Sequence, residues 1–278
     1  MVACSNCTTS VEFPCINEEG DQFCDDCFEE LYNYCTECGN LYELTRPCSC
    51  LRYNVLPWDS SVRPVFYGQG GPYYGTELET EGLGRRTIGE ELGEELYMIH
   101  DGCCDIEITG HPMTWDHMQK VWEPVLELRK KGLKSWNTSS CGIHIHIDKD
   151  HLSALDIYKI LLFLQNNESA VCEFGRKRAN ILDEYSRWTD FEGKAYRARC
   201  KCNRDDNRYQ ALNMEGPTVE FRYFRGSLNP VTFWAFHEHV KSLVEYVKVH
   251  GMKDMIWHKY KAWVRDNKKY YPNLVQRL

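Results

Sequence analysis

The residues best suited to chemistry lie in Ser140-Cys141-Gly142-Ile143-His144-Ile145-His146-Ile147-Asp148. Isoleucine alternates strictly with His144, His146 and Asp148, which is the pattern of a strand with one apolar face and one face carrying ligands. Same-side residues on a strand are roughly 6.5–7 Å apart, so two imidazoles and a carboxylate point into shared space. Two more stretches have this texture. In Thr76-Glu77-Leu78-Glu79-Thr80-Glu81 three carboxylates share a face, and they repel one another unless cations or solvent intervene. In Thr218-Val219-Glu220-Phe221-Arg222-Tyr223-Phe224-Arg225 the pair Glu220 and Arg222 lies opposite Val219, Phe221 and Tyr223. A fourth segment, Cys103 to Thr109, sets Glu107 between Ile106 and Ile108.

On one sheet or partial barrel these faces would gather Glu77, Glu79, Glu107, His144, His146, Glu220, Arg222 and Arg225. Carboxylates are hard oxygen ligands suited to magnesium, which binds through a few acids plus substrate phosphates. Arginine supplies planar donors for phosphate or carboxylate oxygens. The mixture suits nucleotide-dependent chemistry. The His-x-His pair also admits a zinc hydrolase using His144, His146 and Glu107, although that reading leaves the surplus acids and Arg222 without a task.

A second chemistry occupies the N-terminus. Nine of the fifteen cysteines precede Leu51, as Cys4-x-x-Cys7, Cys15, Cys24-x-x-Cys27, Cys35-x-x-Cys38 and Cys48-x-Cys50. Such pairs bite tetrahedral zinc. Sequential assignment puts Cys4, Cys7, Cys24 and Cys27 on one structural zinc and Cys35, Cys38, Cys48 and Cys50 on another, leaving Cys15; spacing also permits interleaved pairing. Residues 1–50 hold ten Asp and Glu against the single Arg46, so the net charge of −8 belongs to this module. An acidic finger is poorly matched to duplex nucleic acid, whose affinity comes from Lys and Arg; it fits a protein partner better.

These residues require an α+β chain: a zinc module over 1–52, a linker over 53–64 flanked by Pro57 and Pro64, and a catalytic body over 65–278. Glu90 to His100 is predicted to be a short helix. Thr114 caps a helix to about Lys131 with Pro124 inside it. Ser153 with Asp156 forms a capping box, and Asn229-Pro230 starts a long helix whose His237 and His239 serve packing. Arg176 to Arg208, with ten basic and six acidic residues, is predicted to be a solvated loop or a substrate-binding segment. No run reaches the ~18 apolar residues of a membrane span, and Met1-Val2-Ala3-Cys4 does not open a signal peptide, which predicts a cytoplasmic protein.

In order, Gly75-Thr76-Glu77-Leu78-Glu79, Asp101-Gly102 followed by Glu107, Cys141-Gly142-Ile143-His144-Ile145-His146, Asn213 and Thr218-Val219-Glu220-Phe221-Arg222 resemble the amidoligase family often found in phages. The resemblance spans about Phe66 to Val247, and cysteine-rich zinc modules precede some members. It implies a glutamine synthetase- and glutamate-cysteine ligase-like antiparallel sheet or partial barrel. It also implies ATP-dependent joining of a carboxylate to an amine through an acyl phosphate, in the host cytoplasm if phage-encoded. By the same resemblance Glu77, Glu79 and Glu220 hold magnesium, and Glu107 is a further ligand or amine-site residue. His144 and His146 help hold metal-bound ATP, Arg222 meets the phosphate or the transition state, and Arg225 is a further catalytic residue. Cys103-Cys104 stands where the family more often has serine, and the stretch after Glu107 is short, departures that bear on the substrate pocket. A non-catalytic zinc adaptor with a degenerate ligase body, and a variant acting on nucleic acid, are the competing readings.

Overall fold

The computed structural model describes the chain except for residues 18, 35–40, 45–52, 59, 61, 139 and 177–209. Its contacts divide it into two units, residues 1–54 with 85–90, and residues 55–84 with 91–278.

The first unit is built from short pieces around a small core. Strands β1 (Val2–Ala3) and β2 (Ser10–Val11), β3 (Cys15–Ile16) and β4 (Gln22–Phe23), and β5 (Tyr32–Tyr34) and β6 (Leu41–Glu43) form three two-stranded ribbons, with helix α1 (Asp25–Leu31) between the second and third. Phe23 and Phe28 are buried with Cys4 and Cys27. Val11, Leu31, Tyr32 and Leu41 pack against them, and among the described residues this is a small core of the kind that a structural metal staples. Helix α2 (Arg85–Gly89) also belongs to this unit.

The second unit is organised by a seven-stranded sheet. Its strands are β7 (Val55–Leu56), β8 (Tyr74–Thr80), β9 (Leu96–Ile99), β10 (Ile106–Gly110), β11 (Gly142–Asp148), β12 (Leu212–Asn213) and β13 (Thr218–Arg225), in the order β12-β13-β11-β8-β10-β9-β7. The sheet is mixed where an antiparallel one was expected, because β7 pairs with β9 in parallel. Among the described residues β12 and β7 are its outermost strands. Two further expectations need correction. The span 53–64, read as a linker, supplies β7. Residues 90–100, read as a helix, contain β9: Leu96 and Met98 are buried while Tyr97 and Ile99 are half-exposed, which is a strand's period of two.

Period two also explains the strands that matter. On β8, Tyr74, Thr76, Leu78 and Thr80 are buried on the face covered by helices, leaving Glu77 and Glu79 on the other. Ile143, Ile145 and Ile147 of β11 and Val219 and Phe221 of β13 continue the covered face at zero exposure. Helices α3 (Trp115–Glu127), α4 (Ala154–Asn166), α5 (Glu168–Gly175), α6 (Pro230–Val249), α7 (Trp257–Asp266) and α8 (Pro272–Val275) supply the packing. Rings interlock between them, as in Trp122 with Phe233 at 5.3 Å and Phe163 with Tyr260 at 5.1 Å. Helix α3 continues through Pro124 and tightens to a 3-10 turn over Leu128–Lys131, ending at Gly132 with φ 108°. The capping box of Ser153 and Asp156 opens α4, and Asn229 caps α6 by accepting from the Thr232 N–H. His237 and His239 are fully buried beneath the sheet. His237 Nδ1 lies 2.8 Å from Phe233 O and its Nε2 2.8 Å from Thr76 Oγ1; His239 lies between the hydroxyls of Tyr260 and Tyr223.

Candidate functional site

The face of the sheet opposite the helices collects the loaded side chains. Pairing across β10, β8, β11 and β13 is antiparallel, with Glu107 opposite Glu79, His144 opposite Glu77 and His146 opposite Glu220. Four strands therefore deliver Glu107, Glu77, Glu79, His144, His146, Glu220 and Arg222 to one continuous surface, as the alternation predicts. His144 Nδ1 lies 3.1 Å from Glu77 Oε2 and 3.5 Å from Glu220 Oε1, and its Nε2 lies 3.8 Å from Glu79 Oε1. Arg222 Nη1 makes a close ion pair with Glu220 Oε1, and Asn213 Nδ2 donates to Glu220 Oε2 at 2.7 Å. Glu79 accepts from the backbone N–H of Gly142, and Glu107 from Thr109 Oγ1 at 2.8 Å.

Electrostatics show how crowded the acids are. Burial and the neighbouring Glu77 and Glu79 push Glu107 well above the usual carboxylate range. Burial would also raise Glu77, but His146 and His144 outweigh it and hold Glu77 well below that range. Glu220 is likewise lowered, with Arg222 and His146 outweighing its burial. For His146 burial acts downward, and Glu77 and Glu220 overcome it, lifting the imidazole to about 9.

Three overlapping triads bring ligand atoms within 4.8 Å of one another: Glu77, His146 and Glu220; Glu77, Glu107 and His144; and Glu79, Asp101 and Glu107. Asp101 enters from the turn before β10, where the sequence reading saw only a turn. The residues fit divalent cations on a specific observation. His146 Nε2 is buried without a hydrogen bond, its nearest acid oxygen, Glu77 Oε1, lying 3.1 Å away but off the line such a bond needs. The other nitrogen, Nδ1, is fixed 3.1 Å from Thr218 Oγ1. A ring nitrogen facing Glu77 and Glu220, with its partner nitrogen anchored, becomes a metal-binding histidine once a cation displaces its proton.

Beside Glu77 and His146 a cleft of about 290 Å³ opens, walled by Phe66, Tyr73, Tyr97 and His111. Its aromatic lining suits the flat or apolar body of a small ligand. Arg225 places its guanidinium 4.1 Å from the centre of the Trp136 ring. Asp148, read as structural, accepts from the Asp150 N–H at 2.9 Å and caps the turn after β11.

In the N-terminal unit Cys4, Cys7, Cys24 and Cys27 come together. Cys7 Sγ and Cys24 Sγ are 3.6 Å apart, near the ~3.8 Å edge of a tetrahedron with Zn–S bonds of about 2.3 Å. Backbone donation, from Cys7 first, draws the Cys4 thiol down to about 6, while the neighbouring thiols push Cys24 and Cys27 up, as expected of four sulfurs crowded together without the cation that would deprotonate them. The four thiols fit one structural zinc. Cys15 stands outside the cluster, its thiol directed at Asp25 Oδ1 at 3.4 Å. Cys35, Cys38, Cys48 and Cys50 lie outside the described residues, as does nearly all of the basic segment that follows Arg176.

A family model described as "putative amidoligase enzyme" matches residues 91–233, just over half of the 278 residues. The matched span holds Asp101, Glu107, His144, His146, Glu220 and Arg222, while Glu77 and Glu79 precede it. No curated protein matches the chain.

Proposed function

The chain belongs to the amidoligase family, and from that premise we propose that it is an ATP- and magnesium-dependent carboxylate–amine ligase working through an acyl phosphate. The observation that carries the reading is the charge of the site. Glu77, Glu79, Asp101, Glu107 and Glu220 sit in overlapping triads with Arg222 as their close guanidinium. Five carboxylates so placed need cations, and oxygen-rich ligand sets favour magnesium.

Those five acids and His146 Nε2 would hold the metal, which when bound offsets phosphate charge during transfer. The chain's own residues do the rest. Arg222, held by Glu220, presents a guanidinium suited to a phosphate oxygen. His144 bridges Glu77, Glu79 and Glu220 and so fixes their directions. Asn213 and Thr109 hold Glu220 and Glu107 from behind. The aromatic cleft takes the body of one reactant and excludes water beside it. In the reaction the substrate carboxylate oxygen bonds to the γ-phosphorus as ADP leaves. The amine nitrogen then bonds to the acyl carbon, phosphate departs and the amine gives up a proton. The family's frequent occurrence in phages supports a phage-encoded enzyme in the host cytoplasm, where a reducing milieu keeps the zinc thiolates competent.

A zinc hydrolase using the His-x-His pair draws less support. His144 and His146 fall in different triads, so among the described residues they do not bite one ion together.

The test is incubation with ATP, magnesium and mixtures of acids and amines, including host extract, following ADP and new masses. Expected are ADP release and a product whose mass is that of acid plus amine less water. Glu79→Gln should abolish turnover at unchanged zinc content. Absence of ADP and of any new mass in every mixture, or full activity of Glu79→Gln, overturns the proposal.

A further inference from the structure

Besides the aromatic cleft, the sheet-bearing unit contains a cavity of about 430 Å³ between the end of α3, Trp136 and the start of α6. Among the described residues its wall carries Arg129, Lys134 and Arg176 and no acid. Among the described residues Arg129 is partly offset, through Glu127 at 2.7 Å.

Three further features converge there. Trp136 lies under two guanidiniums, Arg225 at 4.1 Å and Arg176 at 6.0 Å from its ring centre, and is still 43% exposed. Ser135 is 1% exposed, and its Oγ has no hydrogen-bond partner among the described residues. The twenty-residue helix α6 begins at the cavity, where Asn229 and Thr232 line the wall at the positive end of its dipole. The size is that of a small-molecule site.

We propose that this cavity is an oxyanion-binding site that takes the phosphate or carboxylate group of a small ligand, with Lys134 and Arg176 as its charge contacts. Both groups present planar or tetrahedral oxygens that guanidinium and ammonium donors recognise. Arg225 and Arg222 lie along one face of β13, so a ligand held beside Trp136 is at one end of the surface that carries the acids. The proposal stands without the ligase reading, because it concerns binding alone.

Two sources would supply such an anion, the polyphosphate of a nucleotide or an acidic second reactant, and titration calorimetry separates them. Zinc-loaded protein in buffer without magnesium is titrated with pyrophosphate, citrate and ATP, alongside Lys134→Met/Arg176→Gln and Glu79→Gln. Expected is saturable binding of pyrophosphate or citrate, at least tenfold weaker in the double variant and unchanged in Glu79→Gln. A parallel tenfold loss for ATP assigns the site to the nucleotide; unchanged ATP binding assigns it to the other reactant. If the double variant does not fold, Lys134→Met alone should show a several-fold loss. Failure of wild-type protein to bind either small anion, or equal binding by the cavity variants, overturns the proposal. Loss in Glu79→Gln but not in the cavity variants would place the anion at the acid cluster and overturn it too.

Discussion

Lowering the pH should unfold the sheet-bearing unit through the two histidines buried behind its ligands. Burial holds His237 at about 4 and His239 at about 3, against about 6.5 for an unperturbed imidazole. Both are therefore neutral when folded at pH 5, whereas in the unfolded chain both are largely charged. The sign follows from proton counting: the unfolded state binds more protons below pH 6.5, so stability is full above that value and falls as pH drops toward 4. Each pH unit costs about 1.4 kcal/mol per site. At pH 5 that is roughly 2 kcal/mol for each histidine and about 4 kcal/mol for the pair, a large share of the 5–15 kcal/mol typical of a domain. The hydrogen bonds agree with the neutral form, since Nδ1–H of His237 donates to Phe233 O and leaves Nε2 to accept from Thr76. Urea titrations at pH 8, 6 and 5 can be read by tryptophan fluorescence, which reports this unit alone because all eight tryptophans lie beyond residue 54. His237→Gln/His239→Gln should start less stable yet lose about 4 kcal/mol less than wild type between pH 8 and 5. If variant and wild type lose the same amount, the histidines are not the acid-sensitive element.

Other outcomes follow from single contacts. Thr76→Val leaves His237 Nε2 buried without a donor and should cost about 1–3 kcal/mol by urea denaturation. Leu78→Ala, at zero exposure between Glu77 and Glu79, should cost about 2–5 kcal/mol and weaken turnover by loosening both acids. Arg222→Met should reduce ADP release by at least a hundredfold while the far-ultraviolet spectrum is kept; unchanged activity would remove Arg222 from the site. Cys7→Ser should lower zinc content by one ion per chain without altering tryptophan fluorescence, and unchanged zinc would disprove the Cys4–Cys27 site.

Alternation made the centre of the molecule legible. Ile143, Ile145 and Ile147 against His144 and His146, and Leu78 between Glu77 and Glu79, fix strand identity and the face of each side chain, and a shared apolar backing implies one sheet. The partners that hold those side chains were not legible. Thr218 beneath His146 and Thr109 beside Glu107 are ordinary threonines until the register is known. Asp101 reads as a turn residue because Asp-Gly is a turn signal, and nothing local says that the turn brings its carboxylate to Glu79 and Glu107. Residues 96–99 form a four-residue apolar run that fits helix or strand equally, and β10 and β7 decide it from outside the segment.

Arg225 shows why a pattern of period two can place a residue on the right face for a reason the pattern does not contain. Three positions after Arg222, strict alternation would turn it toward the helices. Between β11 and β13, however, Ile143 pairs with Phe224 and Ile145 with Phe221, so three steps on β13 match two on β11. The extra residue is a bulge, and both Tyr223 and Phe224 are buried against His239. The bulge shifts the phase, so Arg225 returns to the face of Arg222. There its guanidinium stacks on Trp136. One inserted residue thus divides two arginines between two tasks, one inside the acid cluster and one above the cationic cavity. Deleting Phe224 should restore simple alternation, turn the next arginine toward Phe236, and cost the cavity its Arg225–Trp136 stack before it costs the acid cluster anything.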